Sequence, residues 1–317
     1  MHMNRRQLLI ASTTVGLALP GGLIFGAPAP KAKFTLDLCA GRIGITLGQN
    51  ESIAAAAEYG FSSVEPLGSE LAKMSDMQLN ELRMAMTEKK IVWGSGGVPV
   101  LFHRDEARFQ EALSNLPAIA KGYQRAGVTR TGTWISPSHP ELTYLANFKQ
   151  HLRRLREIAK VLSDHDLRFG LEYVGPKTSW SRNKHPFVHS MAETKELIAD
   201  IGRGNVGYIL DSWHWYTAGE TTENILSLDN DDVVAVDLND APAGIPVEQQ
   251  IDNRRALPMA TGVIDLKGFL KSLVQIGYDG PIRAEPFSKE LETMDRGAAL
   301  TATAQAMKKS FALVQPD

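Results

Sequence analysis

Four short apolar runs in the second half of the chain each end in an acid, and a helix-length segment separates each from the next. Leu167-Arg168-Phe169-Gly170-Leu171 ends in Glu172, and Val206-Gly207-Tyr208-Ile209-Leu210 ends in Asp211. Val233-Val234-Ala235-Val236 ends in Asp237, and Pro281-Ile282-Arg283-Ala284 ends in Glu285. A buried strand does not tolerate an unpaired charge in its middle, but it can present one at its tip. The pattern predicts consecutive strands of a parallel sheet whose carboxyl ends converge, and four converging acids call for a cation.

The same alternation runs through the whole chain from Phe34 onward. Strand candidates lie at 34–40, 62–66, 91–96, 128–135, 168–174, 206–211, 233–239 and 281–286. Helix-period segments lie between them at 52–59, 75–89, 105–126, 142–165, 191–201, 223–228 and 265–276, and a last one follows at 294–313. Repeated strand–helix units predict a parallel sheet with right-handed crossovers. Eight such units in a chain of 317 residues predict a single (β/α)₈ TIM barrel, which needs about 250. No Gly-x-Gly-x-x-Gly opens a helix after the first strand, which argues against an open dinucleotide-binding sheet. Gly60, Gly127 and Gly277 each follow a helix, where a left-handed cap leads into the next strand. The longer insertions, 97–104, 136–143, 175–190 and 240–262, follow strands instead, on the face where barrel enzymes keep their chemistry.

Residues 1–33 read as an export signal and residues 34–317 as the barrel. Arg5 and Arg6 precede an apolar run from Leu8 to Phe25, and small residues and prolines close the segment. This order of a basic, an apolar and a small-residue region is that of a signal peptide, and the paired arginines favour the twin-arginine route to the periplasm. The competing reading is a retained anchor, which Pro20, Gly21 and Gly22 argue against. No stable membrane insertion is expected once the signal is removed. A hydrophobic content of 43% and a charged content of 22% are those of a globular domain. The net charge of -2 offers nothing to nucleic acid. The single cysteine, Cys39, rules out a disulfide framework within the chain and a multi-cysteine zinc site. The sequence leaves oligomeric state open, a homo-oligomer included.

Glu172, Asp211, Asp237 and Glu285 form the expected metal site. Two charges about 4 Å apart repel by roughly 4 kcal/mol at an effective dielectric near 20, so without a cation one acid should be protonated. An oxygen-rich set suits Mn²⁺ or Mg²⁺ better than Zn²⁺ or Co²⁺. Any one of these acids alone could equally cap a helix or pair with a lysine; the set of four is the signal. Glu65 ends the second strand and is expected at the mouth, with a rim ion pair as its alternative. Trp93, Trp134, Trp213 and Trp215 lie near strand ends, where one or two could stack on a ligand and the others pack under loops. Lys177 lies close enough to Glu172 to meet a hydroxyl or anionic group. Arg153, Arg154 and Arg156 read as a solvated helix face.

With these residues in place, the chain resembles the sugar phosphate isomerase/epimerase family, the xylose-isomerase-like barrels that include ketose 3-epimerases and inosose dehydratases. The likeness covers most of residues 34–313. It implies metal ligands at Glu172, Asp211 and Glu285, and a substrate-facing histidine at His214, three residues after Asp211. Asp252-Asn253-Arg254-Arg255-Ala256-Leu257-Pro258 resembles the segment whose arginine contacts substrate, and Arg254 is the matching position. The run Thr261-Gly262-Val263-Ile264-Asp265 is also similar. Two positions depart from the pattern. Asp237 stands where the family has a histidine ligand, so it is either a harder fourth ligand or absent from a set of three completed by water. Thr178 stands where the epimerases carry a second substrate-contacting glutamate.

The expected chemistry is a proton transfer. A divalent ion chelated by a carbonyl and its neighbouring hydroxyl stabilises the enediolate formed when the α-proton leaves. Glu172 and Glu285 are the expected acid–base pair, each transfer contributing about 10²–10⁴ in rate. Return of the proton gives an epimerase or isomerase of a small sugar or sugar derivative. Departure of a β-substituent gives a lyase or hydratase, for instance on a 3-keto-glycoside. A phosphoesterase of the endonuclease-four type would need more histidines, and a non-catalytic sugar-binding barrel would account for the missing seventh-strand histidine.

Overall fold

The computed structural model describes residues 31–315. The export-signal reading falls on residues 1–33, all but the last three of which lie outside the described residues. Among the described residues no helix is long and apolar enough to cross a membrane.

Nine parallel strands build one sheet: β1 (Thr35–Leu38), β2 (Ser63–Val64), β3 (Val92–Trp93), β4 (Gly96–Gly97), β5 (Arg130–Trp134), β6 (Arg168–Glu172), β7 (Val206–Asp211), β8 (Val233–Leu238) and β9 (Pro281–Ala284). Their order is β3-β2-β1-β9-β8-β7-β6-β5-β4. The two edges, β3 and β4, are separated along the chain only by Gly94 and Ser95, so the sheet starts and ends on one stretch and closes into a barrel. The expected third strand at 91–96 is therefore split in two. A Cβ on Gly94, at the break, would lie 2.2 Å from Oδ1 of Asp37 on β1. Inside the barrel, Gly132 and Gly170 are register partners on β5 and β6. A Cβ on either would meet the Ile209 side chain at 2.4 and 2.7 Å, so Ile209 of β7 fills the space they leave.

The helices α1 (Gln49–Tyr59), α2 (Gly68–Leu71), α3 (Asp76–Lys89), α4 (Glu106–Ala126), α5 (Tyr144–Ser163), α6 (Lys177–Trp180), α7 (Met191–Ile201), α8 (Ser212–Thr217), α9 (Thr222–Leu226), α10 (Leu266–Gln275), α11 (Lys289–Thr293) and α12 (Arg296–Ala312) connect the strands or lie in their loops. Gly60 and Gly127 end α1 and α4 with φ of 78° and 84°, the left-handed caps expected from the sequence. The buried stripe of α5, with Leu155, Ile158, Ala159 and Leu162, has the 3-4 spacing of a helix laid on a sheet. Arg154 departs from the solvated face expected of it. It is buried on that stripe, donating 2.7 and 2.6 Å hydrogen bonds to the carbonyls of Phe102 and Arg104 and pairing with Glu106. Arg154 thus ties down the loop that follows β4.

Candidate functional site

The fold brings the four acids together. Glu172 and Asp211 close β6 and β7, Asp237 is next to last in β8, and Glu285 follows β9 directly. All four are buried, and their carboxylate oxygens lie within 4.8 Å of one another. Three guanidiniums meet this charge. Arg255 Nη1 donates to Asp211 Oδ2 at 2.6 Å and to Glu285 Oε2 at 2.8 Å, and its Nη2 donates to Asp252 at 2.7 Å. Arg283 grips Asp237 with both edges, Nε to Oδ1 at 2.5 Å and Nη2 to Oδ2 at 3.1 Å. Arg42, in the turn after β1, pairs with Glu285.

Among the described residues, no arginine pairs with Glu172. Its Oε1 is buried with no hydrogen-bond partner. Burial, followed by repulsion from Asp237 and Asp211, pushes its carboxyl well above the usual range. An unpartnered buried oxygen among other carboxylates is what an oxygen-preferring divalent cation fits, and the donor set supports one.

Asp211 is fixed by its surroundings: Oδ1 accepts from the Trp213 N–H at 2.6 Å, capping α8, and from Asn239 Nδ2 at 3.0 Å. The same α8 turn carries His214. Its Nδ1 accepts from the Gly175 N–H at 3.2 Å, and Arg255 Nη2 stands 3.2 Å from Nε2. Two donors facing the ring disfavour an imidazolium, and burial, the largest cause, lowers the pKa further. His214 Nε2 lies 3.8 Å from Glu172 Oε1 and 3.9 Å from Asp211 Oδ2.

Other expected residues fall differently. Arg254 is exposed, and its neighbour Arg255 occupies the site. Beside it, Ala256 forms an isolated antiparallel bridge with Asp240. Asp240 holds this loop by accepting from the N–H groups of Ala241, Thr261, Gly262 and Ile264 at 2.7–3.1 Å. Glu65 lines the mouth and accepts from the Cys39 thiol at 2.9 Å. Trp93 does not reach the mouth; its Nε1 donates to the Ala126 carbonyl at the end of α4. Lys177 is exposed and outside the cavity lining. Trp134, the register partner of Glu172, is the tryptophan at the mouth, 46% exposed. Trp213 and Trp215 pack inside. Thr178 holds α6 to the 240–262 loop through a 2.7 Å hydrogen bond to the Gln250 carbonyl.

A cavity of about 440 Å³ opens onto Glu172, Arg42, Arg283 and Glu65. The family of xylose isomerase-like TIM barrels matches residues 53–310 of the chain. The chain belongs to that family. A xylose isomerase domain protein from Alicyclobacillus acidocaldarius is 30% identical with a TM-score of 0.76, covering 89% of this chain and 99% of that one. A structure described as IOLI protein with a binding zinc atom is 20% identical with a TM-score of 0.71, covering 89% and 98%. The inosose isomerase of Bacillus velezensis is 24% identical over 195 residues, 59% of this chain and 64% of that relative. The match thus spans a little under two thirds of that protein's length. The 3-dehydroshikimate dehydratase of Pseudomonas aeruginosa is 30% identical over 135 residues, 42% of this chain and 20% of the relative.

This xylose isomerase-like barrel also carries a buried acid below the site. Asp37, whose two carboxyl oxygens lack hydrogen-bond partners, has its pKa raised to about 7 by burial, offset only in part by the charge of Arg283. A folded-state value above the unfolded value of about 3.9 means that stability is fully present below about pH 4. It is lost as the pH rises through about 7. Asp37→Asn should therefore unfold at higher urea than the parent at pH 8, by an amount that shrinks to nothing near pH 4. Urea titrations at the two values check this, and a pH-independent difference would contradict it.

Proposed function

We propose that the chain is a divalent-cation-dependent isomerase or epimerase of a sugar or cyclic polyol derivative, working through an enediolate with Glu172 and Glu285 as its acid–base pair. The observation that carries this reading is the unpartnered, buried Glu172 oxygen beside three further acids. Glu172, Asp211 and Glu285 would hold the cation, while Arg283 keeps both oxygens of Asp237 engaged. Mn²⁺ or Mg²⁺ suits the oxygen donors; a zinc-bearing family structure makes Zn²⁺ the alternative. Bound there, the ion would polarise a carbonyl and its neighbouring hydroxyl.

Glu172, protonated when uncompensated, gives and takes the proton on one side of the reacting carbon, and Glu285, held by Arg255, serves the other. His214 and Arg42, the latter 31% exposed at the mouth, donate to substrate oxygens. Trp134 offers a ring face to the sugar. A second reading, a dehydratase, is favoured by the aligned 3-dehydroshikimate dehydratase: the same enediolate expels a β-hydroxyl instead of recovering its proton. We also propose export to the periplasm, from Arg5-Arg6 and the apolar run that follows.

Incubation with inososes, ketohexoses and keto-glycosides in D₂O tests both reaction outcomes. Deuterium should enter the carbon beside the carbonyl, EDTA should abolish the exchange, and Mn²⁺ should restore it. At a Mn²⁺ concentration about 100 times its Kd, the unfolding free energy should rise by about 2.7 kcal/mol. Exchange that survives EDTA dialysis would remove the cation from the reading. Absence of exchange with the ion bound would remove the enediolate.

A further inference from the structure

The cavity at the acids has a mixed lining: Glu172, Arg42, Glu65 and Arg283 supply its charges, and Val98, Pro99 and Ile119 part of its apolar surface. A second hollow of about 490 Å³ shares Pro99 and Ile119 with it and is otherwise lined by Leu101, Ala112, Arg108, Glu111 and Asn115. Leu101 is 47% exposed there. The groove is preformed. The Val98 N–H donates to the Gly132 carbonyl at 3.0 Å, and the Tyr123 hydroxyl to the Gly97 carbonyl at 2.9 Å. Arg154 holds the carbonyls of Phe102 and Arg104 from below.

The hydroxylated rim of a bare sugar would leave the side chains of Val98, Pro99, Leu101 and Ile119 largely unmatched. A sugar carrying an apolar group would place its ring at the acids and bury that group along the groove. We infer that the substrate is a sugar or cyclic polyol bearing an apolar aryl or alkyl substituent, seated between the 98–101 loop and Ile119 of α4. The placement of the ring rests on the proposed enediolate site; the groove itself does not.

The test uses the full chain loaded with Mn²⁺ and two probes, methyl and phenyl 3-oxo-β-D-glucopyranoside. Titration calorimetry gives affinity, and deuterium exchange gives turnover. The phenyl compound should bind roughly tenfold or more tighter. Leu101→Ser, at a half-exposed position, should bring the ratio of affinities toward one, and Leu101→Ser/Ile119→Ser should remove it. Equal affinities in the parent protein, or a ratio unchanged in the double variant, overturn the inference. So does a concentration-dependent dimer that Leu101→Ser dissolves, since the groove would then seat a second copy. Phenyl preference without exchange supports the groove and removes the enediolate; exchange with equal affinities does the reverse.

Discussion

Glu172→Gln should lower the rate of α-carbon exchange by about 10²–10⁴ while leaving the protein at least as stable as the parent. The two halves of that result come from one fact. Glu172 is buried, faces Asp237 and Asp211, and lacks a guanidinium of its own, so its ionised form is the costly one. Its folded pKa lies above the unfolded value, so stability is present at low pH and lost as the carboxyl ionises at higher pH. An amide cannot ionise, and the variant should gain on the parent as the pH rises. Glu285→Gln should lose activity to a similar extent but also lose stability, because Arg255 and Arg42 both pair with that carboxylate. Exchange rates and urea midpoints at pH 6 and pH 8 separate the two roles. If the pair acts on one proton transfer, the double variant should be little worse than either single one. Full exchange in Glu172→Gln would take this residue out of the chemistry.

Much of this site could be read before the structure, for a physical reason. A charge at the end of an apolar strand has one place to go, and strand ends of parallel neighbours lie side by side. Glu172, Asp211, Asp237 and Glu285 needed nothing more, and Val206–Asp211 has the bounds the sequence assigned it. Arg283 went unread, although it stands two residues before Glu285 and period two puts both on one face. Arg255 was not legible: nothing in the sequence separates it from Arg254, and its partners Asp211 and Glu285 lie far from it along the chain. Arg42 reaches Glu285 only because β1 and β9 are neighbours on closure of the sheet. Trp93 misled for a similar reason, since its indole turns outward to the end of α4 where the third strand breaks. Arg154 looked like one more surface arginine because its partners are backbone carbonyls, which carry no sequence signal.

Arg283→Met should destabilise the barrel by about 3–5 kcal/mol, the usual consequence of leaving a buried carboxylate without its counterion. Asp237 is fully buried, and both its oxygens are held by Arg283. Burial pushes its carboxyl up, but the charge and hydrogen bonds of Arg283 outweigh that and leave it below its ordinary value. A depressed folded value means that the pair contributes its stability above about pH 4 and loses it as the pH falls through the folded value. In Arg283→Met burial loses its main opponent, with only the charges of Arg42 and Arg255 left against it, so the variant's deficit should grow from pH 5 to pH 8. Asp237→Asn in the same background should recover most of the loss, since an amide removes the stranded charge. Divalent cations bear on the same point. With Arg283 gone, Asp237 becomes a free fourth acid beside Glu172, Asp211 and Glu285, and Mn²⁺ should restore more stability to Arg283→Met than it adds to the parent. Urea unfolding of the three proteins with Mn²⁺ and with EDTA decides the matter. An equal Mn²⁺ gain in parent and variant would mean that Asp237 stays out of the coordination shell even when released, and that the arginine there serves the fold alone.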